Sequence, residues 1–365
     1  MKVIFRTDAS LDIGTGHVMR CLTLAEALRQ RGAHCSFICR SHPGNLINEL
    51  RQRGFNVVEL PYESNWTGTD STQPVYAVWL GADWKADAEQ TKVGAGETAI
   101  DWLIVDHYAI DARWERALAS YCRKLMVIDD LADRPHSCDM LLDQTFGRDT
   151  GDYHCLVPDD CRLLCGSQYA LLRPEFATLR PYSLQRRVQP VLRELLITMG
   201  GVDKDNATGQ VLASLLACPL PAECRITVIM GTTAPWLDKV RKQAQEMPWP
   251  TRVLVGVSDM AQLMAESDLA IGAAGATSWE RCCLGLPTIM LVLAENQGKI
   301  AKGLERSGGV KLIEHGQNTE TQLREELLQL VGNPSQLTHM SDCAAIVVDG
   351  SGVDVVTCKL EIGGE

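Results

Sequence analysis

The chain alternates short apolar runs with amphipathic segments, and this alternation restricts its possible folds more than any other feature. Residues 3–6 form one such run, and residues 18–31 follow it with apolar side chains at positions 18, 22, 25 and 28, the spacing of one helical face. Gly32 then ends the predicted helix. Runs and helices that alternate in this way predict a parallel sheet with helices on both of its faces.

The same alternation begins again in the second half of the chain. Residues 180–193 contain two prolines and four arginines without an apolar period, which is typical of a linker. We therefore expect an N-terminal α/β domain over residues 1–179 and a C-terminal α/β domain over residues 194–340. Residues 341–365 receive no assigned role. The predicted fold is α/β, with two doubly wound parallel-sheet domains that face each other across a cleft and hold ligands outside the carboxyl ends of their strands.

Composition and charge exclude several classes of protein. Hydrophobic residues make up 45% of the 365 residues and charged residues 22%, as in ordinary globular proteins. The 46 acidic residues outnumber the 35 basic ones, which argues against nucleic acid and membrane surfaces as partners. Arg6 and Asp8 interrupt any N-terminal apolar segment, and no apolar run approaches the roughly 20 residues that span a bilayer. We expect a cytoplasmic protein.

Cysteine is abundant but forms no recognisable metal or disulfide pattern. None of the fourteen cysteines belongs to a C-x-x-C pair. The densest cluster with a histidine consists of His154, Cys155, Cys161 and Cys165. Its spacing matches no usual zinc pattern, so free thiols are the favoured interpretation and zinc is the alternative.

Two glycines precede a histidine between the first predicted strand and the first helix. Gly14 and Gly16 would let the backbone approach a ligand, and His17 would lie at the positive end of the helix dipole. A helix start lowers the pKa of a histidine and keeps it neutral, as a general base requires. The alternatives are a packing or capping histidine and a simple tight turn, because Met19 stands where a third glycine would complete a dinucleotide fingerprint.

A second pair of glycines follows the strand predicted for residues 195–199. Gly200 and Gly201 are a candidate cradle for a diphosphate, although a plain strand-to-helix turn is an equal alternative. Asp203 and Asp205 could hold a divalent cation beside it. The favoured interpretation is that they are acids ahead of a helix whose N-cap is Asn206, because nothing nearby completes a set of oxygen ligands.

Two further sites lie after later strands of the C-terminal half. Gly275 opens a helix start that could face phosphate, and Glu280 could accept hydrogen bonds from ribose hydroxyls. A solvated surface glutamate is the alternative for Glu280. Asn296 and Gln297 offer amides that suit sugar hydroxyl and acetamido groups, with a helix N-cap at Asn296 as the alternative.

Two more candidates stand outside these glycine turns. Residues 106–108, Asp-His-Tyr, close another N-terminal strand, so Tyr108 would face the same cleft. Arg173 lies near the domain junction, where it could bind an anionic or carbonyl oxygen. A salt-bridged loop and an exposed arginine are the respective alternatives.

Together these residues resemble a known family. The motifs that carry the resemblance, in chain order, are Arg6-x-Asp8-x-Ser10, Gly14-x-Gly16-His17, Val105-Asp106-His107-Tyr108, Tyr169-Ala-Leu-Leu-Arg173, Met199-Gly200-Gly201 and Ser278-Trp-Glu280. The chain resembles the UDP-2,4-diacetamido-2,4,6-trideoxy-β-L-altropyranose hydrolases of the pseudaminic acid pathway from its first residue to about residue 310. That family is similar in fold to GT-B glycosyltransferases, including the N-acetylglucosaminyl transferase of peptidoglycan synthesis.

The resemblance implies roles for individual residues. His17 would be the catalytic base that activates water for attack on the anomeric carbon, with UDP as leaving group. Tyr108 and Asn296 would lie near the sugar, and Arg173 and Glu280 would bind substrate. The partner implied is a UDP-sugar substrate, with no cofactor and no metal, in a pathway connected with flagellin glycosylation. The oligomeric state is left open.

Two rival functions remain at this point. A GT-B glycosyltransferase would pass the sugar to an acceptor, and such enzymes often carry a basic, apolar patch for a lipid acceptor. No such patch is visible near the N-terminus, which favours hydrolysis. A nucleotide-sugar binder without catalytic activity is disfavoured by His17 at the glycine turn.

Overall fold

The computed structural model describes residues 1–63, 66, 74–96, 99–232, 234–293, 297–314, 316 and 318–362. The chain forms two compact units. The first consists of Met1–Leu171 together with the C-terminal residues from Ser351 onward, and the second is Leu172–Gly350. Within the described ranges, no helix is both long and apolar enough to cross a membrane.

The first unit is built on a parallel sheet whose described strands run in the order β3-β2-β1-β4-β5-β6-β7. These strands are β1 (Lys2–Thr7), β2 (His34–Arg40), β3 (Asn56–Leu60), β4 (Ile100–Asp106), β5 (Cys122–Ile128), β6 (Met140–Asp143) and β7 (Arg162–Cys165). Its helices are α1 (Gly16–Gln30), α2 (Ile47–Gln52), α3 (Trp84–Ala95), α4 (Ala112–Leu118) and the C-terminal α13 (Gly352–Ile362).

The second unit repeats this design with strands in the order β10-β9-β8-β11-β12-β13, all parallel. These strands are β8 (Glu194–Thr198), β9 (Arg225–Met230), β10 (Thr251–Val255), β11 (Leu269–Ala273), β12 (Thr288–Val292) and β13 (Val310–Glu314). Its helices are α5 (Pro174–Arg186), α6 (Ala207–Leu215), α7 (Leu237–Gln245), α8 (Met260–Glu266), α9 (Thr277–Cys283), α10 (Gly298–Ser307), α11 (Thr319–Val331) and α12 (Pro334–Val347).

Both strand orders contain a point where the winding reverses. In the first sheet this point lies between β1 and β4, with Val3 opposite Trp102. In the second it lies between β8 and β11, with Leu195 opposite Leu269. Loops leave such a pair of strands in opposite directions, which opens a crevice at their carboxyl ends. The two parallel, doubly wound sheets that the alternation predicted are therefore confirmed, and each has one natural binding edge.

Helix α1 shows why the sequence folds this way locally. Its predicted apolar stripe, Val18, Leu22, Ala25 and Leu28, is buried in the core against the first sheet. The chain then leaves the helix through Gly32, whose φ of +87° suits glycine. Packing of the stripe fixes how α1 rotates about its axis, and this rotation decides which way the side chains of its first turn point.

The C-terminal segment, which has no role in the sequence prediction, belongs to the first unit. Val353, Val356 and Leu360 of α13 are buried in the same core cluster as α1. The indole of Trp102 on β4 donates a hydrogen bond to the carbonyl oxygen of Leu360, at 3.0 Å. The first unit is thus completed by residues from the far end of the chain.

The structure differs from the predicted domain boundaries and linker. The units divide between Leu171 and Leu172, and the first half of the predicted linker 180–193 lies in α5. Its arginines are structural: Arg180 donates to the carbonyl oxygens of Val348 and Ala345, and Arg187 is buried and donates to Ser267 O. Pro181 within the helix and the missing apolar period hid α5 from sequence analysis.

A single core substitution tests the docking of α13. We expect Leu360→Ala to destabilise the first unit by roughly 2–5 kcal/mol, because it leaves a cavity at a fully buried position. Ile362→Ala on the same helix is the matched control, since that side chain is 67% exposed. Urea denaturation followed by circular dichroism measures both, and equal midpoints for the two variants would contradict this packing.

Candidate functional site

His17 lies in the first turn of α1, at the carboxyl edge of the first sheet. Its imidazole is largely buried, and Nδ1 lies 2.6 Å from Oδ1 of Asp106, the last residue of β4. A carboxylate only accepts hydrogen bonds, so Nδ1 carries a proton, and a ring that holds this proton alone presents a lone pair on Nε2. Within the described residues no hydrogen bond reaches Nε2. The geometry therefore gives a proton acceptor that a buried carboxylate holds in place.

Asp106 is shared with Arg20, one helical turn after His17. Arg20 donates from Nε to Oδ2 and from Nη2 to Oδ1, at 2.6 and 2.7 Å. Its Nη1 reaches Oδ2 of Asp130 at 2.6 Å. Burial alone would raise the pKa of Asp106, but Arg20 and His17 outweigh burial and hold this pKa below its usual range. Asp106 thus stays ionised, which stabilises the imidazolium when His17 takes a proton.

Tyr108 packs directly against the histidine. The two rings meet edge to face with centroids 4.5 Å apart, and the Tyr108 hydroxyl donates to Oδ2 of Asp130 at 2.8 Å. The structure therefore brings Tyr108 and His17 together, as their positions after neighbouring strands indicate. Arg20 and Asp130, which link them, were not predicted from sequence. The spacing of His17 and Arg20, three residues apart on one helix face, was the available signal.

A second group of buried charges supports the same edge. Oδ1 of Asp8 lies 2.7 Å from Nη1 of Arg6 and accepts the backbone amide of Arg40 at 2.6 Å. Oδ2 of Asp87 accepts hydrogen bonds from the guanidinium groups of Arg6 and Arg40, each at 2.6 Å. His107 accepts the amide of Ala109 on Nδ1, so its Nε2 carries the proton and points towards Asp8, 3.3 Å away. These groups are buried and paired, so they position the loop after β1.

The glycines predicted near His17 form a compact turn. Gly14 has φ of +80° and exchanges backbone hydrogen bonds with Ser10. A Cβ added at Gly14 would meet no atom within 4 Å. Gly16 begins α1. The left-handed conformation of Gly14 therefore forms the turn, and the space beside its backbone is not filled by other atoms of the described chain.

In the second unit, Gly200 and Gly201 follow β8 at the binding edge. Gly200 has φ of +92°. A Cβ added at Gly231 would lie 1.9 Å from the carbonyl oxygen of Gly201, so the backbones at Gly201 and Gly231 pack directly against each other. The oxygens of Asp203 accept the amides of Ala207 and Thr208 at 2.8 and 3.0 Å. Asp203 therefore caps α6.

Asn206 stands at the N-cap position of α6, as predicted, with a left-handed backbone at φ of +56°. Its side chain makes no capping hydrogen bond, and Asp203 supplies that contact instead. Because Asp203 already satisfies two amides at this helix start, a diphosphate there would depend on the glycine backbone instead. No cluster of three or more potential metal-ligating side chains occurs in the described part of the chain.

A buried arginine lies under the loop that carries Gly275. Arg281 on α9 donates to the carbonyl oxygen of Ala273 and to the hydroxyl of Ser278, at 2.8 and 3.2 Å. A Cβ on Gly272 would lie 2.5 Å from its Nη1. Burial lowers the pKa of Arg281 to about 10, so it remains a cation at neutral pH. Sequence analysis missed this residue, because arginine on a short helix usually faces solvent.

Glu280, beside Arg281 on α9, is partly buried. Burial raises its pKa to about 7, against the opposing influence of Arg173 and Arg281. Arg173 itself donates to the carbonyl oxygen of Ser258 at 3.2 Å and pairs with Glu175. Two predicted substrate-binding residues, Arg173 and Glu280, therefore lie within electrostatic reach of one another.

The other residues singled out from the sequence are Asn296, Gln297 and the cysteines near His154. The side-chain oxygen of Gln297 accepts a hydrogen bond from the backbone amide of Leu293 at 3.0 Å, so Gln297 is tied to the residue that follows β12. Asn296 lies outside the described residues. Within the cysteine-rich group, Cys155 Sγ lies 3.0 Å from His154 Nδ1, whereas Cys161 Sγ lies 3.6 Å from Cys138 Sγ.

Comparison with known proteins identifies similar sequences. Residues 198–352 match the model of the glycosyltransferase family 28 C-terminal domain. The chain is 29% identical over 309 residues to the UDP-2,4-diacetamido-2,4,6-trideoxy-β-L-altropyranose hydrolase of Campylobacter jejuni, covering 84% of this chain and 97% of that protein. The resemblance indicated by the sequence motifs is thus confirmed.

Transferases are similar over a shorter part of the sequence and over the whole fold. A UDP-N-acetylglucosamine–N-acetylmuramyl-(pentapeptide) pyrophosphoryl-undecaprenol N-acetylglucosamine transferase of Hahella chejuensis is 33% identical over 178 residues, 47% of this chain and 49% of that protein. The crystal structure of Acinetobacter baumannii MurG superposes with a TM-score of 0.67 at 16% identity, covering 99% of each chain. The predicted GT-B-like fold is confirmed.

The raised pKa of Glu280 predicts a pH-dependent stability. An ordinary glutamate titrates near 4.5, so between pH 4.5 and about 7 the folded state holds a proton that the unfolded state has lost. Stability contributed by this group is complete below pH 4.5 and is lost as the pH rises through 7. We expect Glu280→Gln, compared with the wild type, to gain stability across this window.

Urea denaturation at pH 5 and pH 8 measures this difference. Glu246→Gln, at an exposed position of the same unit, is the control and should give the same difference from wild type at both pH values. Parallel behaviour of the Glu280 and Glu246 variants would show that Glu280 is not held in a desolvated environment.

Proposed function

We propose that the protein hydrolyses UDP-2,4-diacetamido-2,4,6-trideoxy-β-L-altropyranose to UDP and the free sugar, in pseudaminic acid biosynthesis. The observation that carries the proposal is the pairing of His17 with Asp106, which leaves Nε2 as a proton acceptor. The substrate is taken from the name of the similar C. jejuni hydrolase, which aligns over nearly its whole length.

In this mechanism His17 is the general base. Its Nε2 removes a proton from water while the water oxygen forms a bond to the anomeric carbon. The bond from that carbon to the UDP oxygen breaks, and UDP leaves with the electron pair. Asp106 keeps its charge throughout, holds the ring orientation and stabilises the imidazolium, while Arg20 fixes the carboxylate from its other side.

The second unit supplies the nucleotide site. Backbone amides at Gly200, Gly201 and the loop of Gly275 bind the diphosphate, and the buried cation of Arg281 below that loop favours the negative charge of the leaving group. The Glu280 carboxylate accepts hydrogen bonds from the ribose hydroxyls, and Arg173 contacts an anionic oxygen of the substrate. These assignments require no metal ion.

A glycosyltransferase is the second candidate, favoured by the match to the family 28 domain and by the similarity to peptidoglycan transferases. Incubation of the purified protein with the UDP-sugar and no acceptor separates the two. Release of UDP and free sugar over many turnovers supports hydrolysis, and release that requires an added acceptor supports transfer.

Variants of the two paired residues test the base. We expect His17→Asn to lower kcat roughly 10²–10⁴-fold, because a general base is lost. Asp106→Asn is expected to lower kcat as well, because the asparagine amide N–H can donate a hydrogen bond to Nδ1. The ring proton then lies on Nε2, which faces the water and can no longer accept a proton from it. UDP affinity, measured by calorimetry, should stay unchanged in both. Turnover close to wild type in His17→Asn would overturn the assignment.

Chelation tests the absence of a metal requirement. Asp203 already caps α6 with both oxygens, so backbone amides and Arg281 are expected to neutralise the diphosphate alone. We expect full activity after dialysis against excess EDTA. Activity that disappears with chelator and returns with Mg²⁺ or Mn²⁺ would contradict this and would favour a metal-assisted leaving group.

A further inference from the structure

Three aromatic rings of the first unit form a continuous surface that reaches His17. Tyr76 and Trp79 have ring centroids 4.5 Å apart, and they lie 5.6 and 6.1 Å from the ring of Tyr108. The planes of Trp79 and Tyr108 differ by only 25°. Since Tyr108 packs edge to face on the imidazole, the surface begins at the proposed base and extends to the turn after residue 74.

A short 3₁₀ turn, Ala77–Leu80, presents the two outer rings. Ala77 and Leu80 are buried, and Leu80 packs in the core cluster that includes Ile4 and Leu103. Gly81 ends the turn in a left-handed conformation, with φ of +66°. Two of the four turn residues thus hold the turn on the core, and its position relative to Tyr108 is fixed.

The outer rings are not themselves core residues. Tyr76 and Trp79 are both partly exposed, and Trp79 Nε1 makes no hydrogen bond within the described part of the chain. A ring cluster that served stability alone would bury its faces. Aromatic faces next to a catalytic group instead suit a ligand with C–H and methyl surface as well as polar atoms.

We infer that Tyr76 and Trp79 extend the surface of Tyr108 into a binding surface for the sugar of the substrate, and that they recognise its methyl-bearing substituents. This inference rests on the proposed function. The sugar named there carries a methyl group at C6 and two acetamido methyl groups, and these pack on aromatic faces. Trp79 Nε1 donates to an acetamido carbonyl oxygen. The ring pair is therefore a specificity element, and proton transfer stays with His17.

Kinetics of Trp79 variants test the inference. We expect Trp79→Ala to lower kcat/KM for the UDP-diacetamido sugar at least about 10-fold, mainly through KM, because loss of apolar contact with a substrate group typically costs 10–200-fold. Trp79→Phe should recover part of the loss. Val78→Ala, at an exposed position of the same turn, is the matched control and should resemble wild type. Calorimetric UDP affinity should be equal in all four proteins.

A binding measurement separates this inference from the proposed function. Saturation-transfer NMR uses the His17→Asn background, because active enzyme would consume the UDP-sugar. Transfer to the three methyl groups should be strong in His17→Asn and weak in the double variant that also carries Trp79→Ala, with transfer to the uridine protons unchanged. If wild type does not hydrolyse the substrate but this methyl pattern holds, the proposed reaction fails and the inference survives. Equal KM in wild type and Trp79→Ala, with equal methyl transfer in the two proteins that carry His17→Asn, would overturn the inference, whatever the turnover.

Discussion

The carboxylate of Asp106 organises the candidate site of the first unit. It is fully buried at the end of β4, and its two oxygens are occupied by the guanidinium of Arg20 and the imidazole of His17. A charge in that position is tolerated only when its hydrogen bonds are complete. The requirement works in both directions: the carboxylate needs both partners, and both partners lose their orientation without it. Because β4 and α1 carry the three residues, a rigid sheet and helix set the geometry.

The charges behind this site form a larger group of buried ion pairs. Arg6, Arg40, Asp8 and Asp87 are all fully buried and together form two cations against two anions. Removing one of them would leave an uncompensated charge, which typically costs 3–5 kcal/mol. The network ties β1 to β2 and α3, and the loop after β1 begins at Asp8. The Arg6-x-Asp8 motif therefore acts on the site by fixing where that loop starts.

Sequence periodicity predicted the framework well, because apolar spacing reflects burial. It indicated α1, most strands of both sheets and the carboxyl edges where His17 and Tyr108 lie. It failed where tertiary contacts override local signals. α5 contains Pro181 and is held by contacts of Arg180 and Arg187, and the segment after residue 350 joins the first core through contacts with distant residues such as Trp102. The burial of Arg281 on the short helix α9, and the packing of Tyr76 and Trp79 beside Tyr108, depend on neighbours that apolar periodicity does not report.

The two units share a winding scheme but differ in the chemistry at their binding edges. At the edge of the first, the ionised carboxylate of Asp106 holds the imidazole of His17, and this pairing favours accepting a proton. The edge of the second offers open backbone at Gly200 and Gly275, where an added Cβ would meet nothing within 4 Å, above the buried cation of Arg281. Screening limits charge effects in water to about 8–10 Å. The anion site that we propose for the second unit of a chain with net charge -11 therefore depends on local donors and not on the overall charge.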